Sequence, residues 1–220
     1  MERVIVFGSG PVARGAYARL ACDPRYEVAA FTVDPEYISD DRLFGLPVLP
    51  FPDVASLYRP DEYRMLIAVG YVKVNRLRAE RYYQAIEMGY ELISHVSSET
   101  HASPGMIMGN NCLIGGHCLI AASARIGNNV IIDSGCIIAH DTTIEDHCFL
   151  GAGVVMGGGV TLQPYCFVGL NSTIRNKITI ARECVIGAGS VILQDTRPRE
   201  VYMARQAELM PITSDRLSLS

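Results

Sequence analysis

The chain has 220 residues, 49% of them hydrophobic, and a formal net charge of −4 at pH 7. That length supports one large domain or two small ones, each with a real core, and the acidic balance excludes a nucleic-acid groove or an anionic lipid surface. No apolar run approaches the ~18 residues that span a bilayer, so no membrane insertion is expected. The opening MERVIVFGSGPV runs straight into a strand without a basic region and a long apolar stretch, so no secretory leader is expected. Seven cysteines without a C-x-x-C pair argue against a disulfide scaffold or a zinc ribbon and fit a reducing cytoplasm.

Residues 1–96 alternate strand and helix patterns. Strands are expected at Val4–Phe7, Glu27–Val33, Pro47–Phe51, Met65–Val69 and Glu91–Val96, with helices at Val12–Cys22 and Asn75–Met88. This order predicts a small parallel sheet with crossover helices, a Rossmann-like α/β module. Its first strand–helix junction, Gly8-Ser9-Gly10-Pro11-Val12-Ala13, fits G-x-G-x-x-G/A, and Asp34 ends the second strand. Such glycines let backbone N–H groups approach a phosphate at a helix N-terminus, and Asp34 is placed to accept bonds from a ribose or base. The competing reading is a plain tight turn between strand and helix. Too few strands follow for a complete NAD fold, which points to a mononucleotide. Gly70 and Tyr71 end a later strand facing the same crevice, with Asn75 and Arg78 nearby.

Residues 97–104 read as a linker into the second module, 105–195, with a tail at 196–220. From Leu113 the chain falls into hexads: LIGGHC LIAASA RIGNNV IIDSGC IIAHDT TIEDHC FLGAGV VMGGGV TLQPYC FVGLNS TIRNKI TIAREC VIGAGS VILQDT. All fourteen second positions, from Ile114 to Ile192, are Ile, Leu, Val or Met. A period of six is neither helical nor simply alternating; it describes a short strand plus a corner. Three hexads then close a triangular coil, and coils stack at the ~4.8 Å inter-strand spacing into a left-handed parallel β-helix. The sixth positions also point inward, and they hold Cys118, Cys136, Cys148, Cys166 and Cys184, with Cys112 just before the block. These thiols read as small core hydrophobes, not as nucleophiles. Glycines at the third position (Gly115, Gly127, Gly151, Gly157, Gly169, Gly187) are expected to supply unusual backbone angles at the corners.

His140 stands at a fourth position, beside Asp141. An imidazole with an adjacent carboxylate can serve as a general base; the bland alternative is a surface histidine at a turn. His117 and His147 fall at fifth positions and read as solvent-facing or groove-lining, and His95 or His101 could line a cleft.

Several of these features resemble the sialic acid O-acetyltransferase and nucleotide-amino-sugar N-acetyltransferase family of bacterial surface-glycan synthesis. The resemblance is carried by GSGPVA, SHVSSETHASPG, the hexads, Ile138-Ala139-His140-Asp141 and the closing GAGSVILQDTRPREVYMA. It implies a cytoplasmic homotrimer that binds a nucleotide-linked amino sugar and the co-substrate acetyl-CoA, without a metal. It implies that His140 is the base, that Asp141 orients it, and that the Gly158 N–H meets the thioester carbonyl. By the same resemblance acetyl-CoA lies along Gly158, Phe149, Leu170 and Ala188, and the nucleotide sugar against Gly8, Ser9, Gly10, Pro11, Val12, Asp34, Gly70, Tyr71, Asn75 and Arg78. The family often carries histidine nine residues after the catalytic one, where this chain has Phe149. An O-acetyltransferase, a non-catalytic nucleotide-sugar scaffold and a zinc enzyme on the same fold remain as alternatives.

Overall fold

The computed structural model describes residues 1–213 and Arg216; the rest of the expected tail lies outside the described residues. The first module comprises β1 (Glu2–Phe7), α1 (Pro11–Leu20), β2 (Tyr26–Val33), β3 (Arg42–Leu43), β4 (Leu46–Pro50), α2 (Val54–Leu57), β5 (Arg64–Ile67) and α3 (Arg76–Glu87). Its sheet runs β3-β4-β2-β1-β5. All neighbours are parallel except the β3–β4 edge, so the sheet is mixed rather than purely parallel. The sequence concealed that hairpin because Phe44, an aromatic at φ 52°, carries its turn with Gly45. Val4–Phe7 is an unbroken apolar run because both faces of β1 are covered. In α1, Pro11 opens the first turn, and Ala13, Ala16 and Leu20 form the buried stripe.

The expected last strand, Glu91–Val96, divides in two. Leu92 makes one bridge to Met65, and His95–Val96 leaves the module to begin the second. The β-helix therefore starts about ten residues before 105, and residues 97–104 are part of its first coil, since His101–Ala102 pairs with Leu119–Ile120. It also extends past 195, because Val201–Tyr202 pairs with Val185–Ile186.

The prism has three faces of seven, six and five parallel strands. The first face holds the strands beginning at His95, Leu113, Ile131, Phe149, Phe167, Val185 and Val201. The second begins its strands at His101, Leu119, Ile137, Val155, Thr173 and Val191; the third at Ile107, Arg125, Thr143, Thr161 and Thr179. The coils wind left-handed. Second-position aliphatics such as Ile120, Ile138, Leu150 and Met156 are fully buried, each contributing about 1.5–3 kcal/mol by leaving water. Six cysteines are buried free thiols inside the same column, and burial pushes the Cys112 thiol up to about 11.

The corners work differently from the sequence expectation. The fifth position, not the third, takes the left-handed conformation, at Asn111, His117, Asn129, Asp141, His147, Tyr165 and their counterparts. Each such residue costs about 1–2 kcal/mol, and the turn aims its N–H at the fourth-position carbonyl one coil back, as in Asp141 to Ala122 and Gly159 to His140. Third-position glycines are required by crowding. A Cβ on Gly169 would lie 2.5 Å from the Ala188 backbone nitrogen, and one on Gly157 equally close to that of Asn176.

The two modules share one core, in which Leu113, Ile131 and Phe149 of the first face pack with Val4, Val6, Ala16, Leu20 and Phe31. The seam is sealed by Arg78, fully buried. Its guanidinium donates to the carbonyls of Asn129, His147, Cys148 and Gly70 and to Asn75 Oδ1 at 3.0–3.3 Å. Burial lowers it to about 10, so it remains a cation at neutral pH. Asn75, also fully buried, donates to the carbonyls of Tyr165 and Cys166.

Candidate active site

A crevice of about 650 Å³ opens at the carboxyl ends of β1, β2 and β5, lined by Gly8, Ser9, Gly10, Pro11, Val12, Asp34, Gly70 and Tyr71. This is the place where parallel α/β sheets bind ligands. Gly8 sits at φ 121°, and a Cβ there would come within 2.8 Å of the Ala68 carbonyl oxygen, so only glycine fits. The N–H groups of Val12 and Ala13 belong to the first turn of α1, have no partner within the helix, and mark the positive end of its dipole.

Two of the residues expected here are elsewhere. Asn75 and Arg78 do not line the crevice, because both are spent on prism carbonyls. Asp34 does line it, but its carboxylate is gripped from Arg81 Nε at 2.9 and 3.1 Å and from Nη2 at 2.9 Å. Sequence reasoning missed Arg81, an ordinary basic position on α3. Tyr71 closes the other side, its ring 5.1 Å from Phe149 and 4.6 Å from Phe167. Phe149 is thus almost fully buried, a floor beneath the seam.

The histidine pair lies apart from the crevice, at the corner between second and third faces. His140 Nδ1 is 2.9 Å from Asp141 Oδ2, and both side chains are about two-thirds exposed or more, at 71% and 66%. With the carboxylate accepting the Nδ1 proton, Nε2 carries a free lone pair. That nitrogen lies over Gly158, where a Cβ would meet it at 2.6 Å; the glycine makes the room the imidazole occupies. Gly158 stands one coil above His140 at the same corner. Leu170 and Ala188 are exposed one above the other at a different corner, between first and second faces. On one chain, then, the two parts of the expected acetyl-CoA surface face different directions.

His147, expected to face solvent or a groove, is buried. Its Nδ1 meets Asn129 Nδ2 at 2.9 Å and its Nε2 meets the Tyr83 hydroxyl at 3.0 Å, while Tyr165 packs over its ring. Burial pushes its pKa down to about 4. His147 therefore stays neutral in the folded chain while the unfolded chain protonates near 6.5. The unfolded state binds more protons between these values, so stability falls as pH drops from about 6.5 to 4, by about 3 kcal/mol at most. Urea midpoints measured across that window are expected to lose part of this slope in His147→Gln; an unchanged slope contradicts the assignment. His117, at a third corner position, is exposed. His117, His140 and His147 thus occupy three different corners, and among the described residues no three His, Cys, Asp or Glu side chains gather to hold a metal. No helix among those residues is long and apolar enough to cross a membrane.

Comparison with known proteins agrees with this architecture. The family model of bacterial transferase hexapeptides (six repeats) matches residues 123–158, and that of the hexapeptide repeat of succinyl-transferase matches 105–139 and 166–194. A search of curated proteins by sequence finds no match. Among solved structures, a variant of perosamine N-acetyltransferase from Caulobacter crescentus, in complex with CoA and GDP-perosamine, superposes with a TM-score of 0.81 at 25% identity, covering 89% of this chain and 90% of that one. The acetyltransferase domain of PglB from Neisseria gonorrhoeae, in complex with acetyl coenzyme A, gives 0.81 at 20% identity over 91% and 95%. WeeI from Acinetobacter baumannii gives 0.79 at 17% over 92% and 94%; these last two share the fold. The hexapeptide transferase repeats and the perosamine N-acetyltransferase neighbour support an acyltransferase. The architecture of this chain is similar over nearly its whole length to that of the perosamine N-acetyltransferase.

Proposed function

We propose that this enzyme transfers the acetyl group of acetyl-CoA to the amino group of a nucleotide-linked amino sugar, in the cytoplasm, for surface-glycan synthesis. The observation that carries the reading is the His140–Asp141 pair with Nε2 free above Gly158. The amine nitrogen attacks the thioester carbonyl, and His140 Nε2 takes the proton the nitrogen sheds. The C–S bond breaks and the CoA thiolate leaves, recovering that proton. The Gly158 N–H stabilises the oxyanion, and holding both substrates together supplies much of the acceleration.

The reading also requires a second copy of the chain. The nucleotide crevice and its module sit on the first face, whereas His140 projects from the far corner. The second face carries an apolar stripe of Leu119, Ile137 and Val191, 46%, 42% and 61% exposed. A head-to-tail contact through that stripe, closed as a homotrimer, brings the His140 corner of one protomer to the seam of the next. The Leu170–Ala188 corner and Gly158 then line one groove for acetyl-CoA. UDP- and GDP-linked amino sugars, screened by thermal shift with CoA present, are expected to include a stabilising acceptor that gains one amide-linked acetyl group by mass spectrometry. No acetylated product from any of them defeats the proposal, and a base-labile ester would instead identify a hydroxyl acceptor.

A further inference from the structure

A second cavity, of about 380 Å³, adjoins the crevice and shares Pro11 and Val12 with it. Its size lies within the roughly 300–1,000 Å³ of small-ligand sites. One wall is a single stripe of α1, since Pro11, Gly15 and Arg19 recur at four-residue intervals and so lie on one face. The opposite wall is the prism, with Ile131 and Phe149 as an apolar floor and exposed Asp133 at the rim.

Two independent features of this cavity lack a structural purpose. Arg19 is half-buried, its Nε is enclosed with no hydrogen-bond partner, and among the described residues its guanidinium has no ion pair. Enclosing even one guanidinium N–H without a partner is costly. Asp133, which lines the same cavity, opposes the effect of burial on it through its field, without an ion pair. Gly15 is the second. Glycine inside a helix is destabilising relative to alanine, yet a Cβ there would touch nothing within 4 Å. Neither packing nor backbone angle explains it; its effect is to leave the cavity open.

We infer that this cavity is the seat of the acceptor sugar ring, with Arg19 and Asp133 hydrogen-bonding its hydroxyls across an apolar floor and Gly15 leaving it room. The inference rests on the nucleotide-amino-sugar reading above and names the residues that select the sugar as opposed to the nucleotide. Arg19 offers a planar set of donors to neighbouring hydroxyls, Asp133 accepts from one of them, and Phe149 and Ile131 meet the ring's C–H face. The nucleotide remains at the Gly8–Val12 turn, so the two recognition tasks are separable by mutation.

The probes are UDP- and GDP-linked 4-amino-4,6-dideoxyhexoses, with UDP and GDP as sugar-free controls. Arg19→Ala is expected to raise KM for the amino sugar at least tenfold, leaving Kd for the bare diphosphate and KM for acetyl-CoA within twofold. Arg19→Lys, which keeps charge but loses the planar fork, is expected to recover only part. Asp133→Asn, at an exposed position that does not endanger folding, is expected to raise the same KM several-fold. Gly15→Leu is expected to raise the melting temperature while blocking the sugar, a combination that misfolding cannot produce. Variants that acetylate the sugar with unchanged KM overturn the inference and leave the activity standing, as do variants that lose the bare diphosphate in parallel. An unaltered protein that acetylates none of the probes overturns both.

Discussion

His140→Ala is expected to lower kcat by about 10²–10⁴-fold, the range in which a positioned general base contributes. The side chain is exposed and its loss removes no core contact, so the melting temperature and acetyl-CoA affinity are expected to hold. Steady-state kinetics beside a thermal melt separate the two effects. A kcat within a few-fold of the unaltered enzyme would remove His140 from the chemistry. A substitution at Asp141 gives a second check. If Asp141 fixes the tautomer, Asp141→Asn can donate to Nδ1 and move the proton to Nε2, so it too is expected to depress kcat with little change in substrate affinity.

The largest stability effect is expected at Arg78, outside any reacting group. Arg78→Met fills similar space but leaves the carbonyls of Asn129 and His147 buried without a donor, while that of Cys148 keeps only the Ile131 N–H. Each such loss costs about 1–3 kcal/mol, and the sum is expected near 3–5 kcal/mol, a large share of the total stability of an ordinary domain. Arg78→Lys is expected to recover less than half, because one ammonium with three donors cannot serve acceptors on several coils. Urea unfolding with an unchanged slope and a lowered midpoint is the measurement. A loss below about 1 kcal/mol would mean that water replaces the guanidinium and that the seam does not depend on it.

The prism was legible because its signal repeats. Ile120, Ile138 and Met156 meet one another by the same geometry, so each hexad corroborates the next. The beginning of the prism was hidden because His101–Ala102 puts a small alanine at the second position, which leaves Val96 an isolated match without the repeat that marks later coils. His140 and Asp141 could be singled out because adjacent residues at one corner stay adjacent in space. Arg78 and Asn75 were assigned to the crevice from proximity in sequence, whereas α3 turns those side chains toward the seam. Arg19 and Gly15 gave no sign in the sequence. An arginine without a partner and a glycine without a neighbour become informative only when the surrounding atoms are known.

The eighteen-residue coil also restricts how this protein can change length. Removing one hexad would turn everything downstream by one face, carrying Leu170 and Ala188 away from their corner. Removing three restores their direction but lowers them by one strand spacing, ~4.8 Å, a lesser displacement than any rotation. Growth and shrinkage by whole coils thus preserve which way each side chain looks, and alter only how high along the axis it stands.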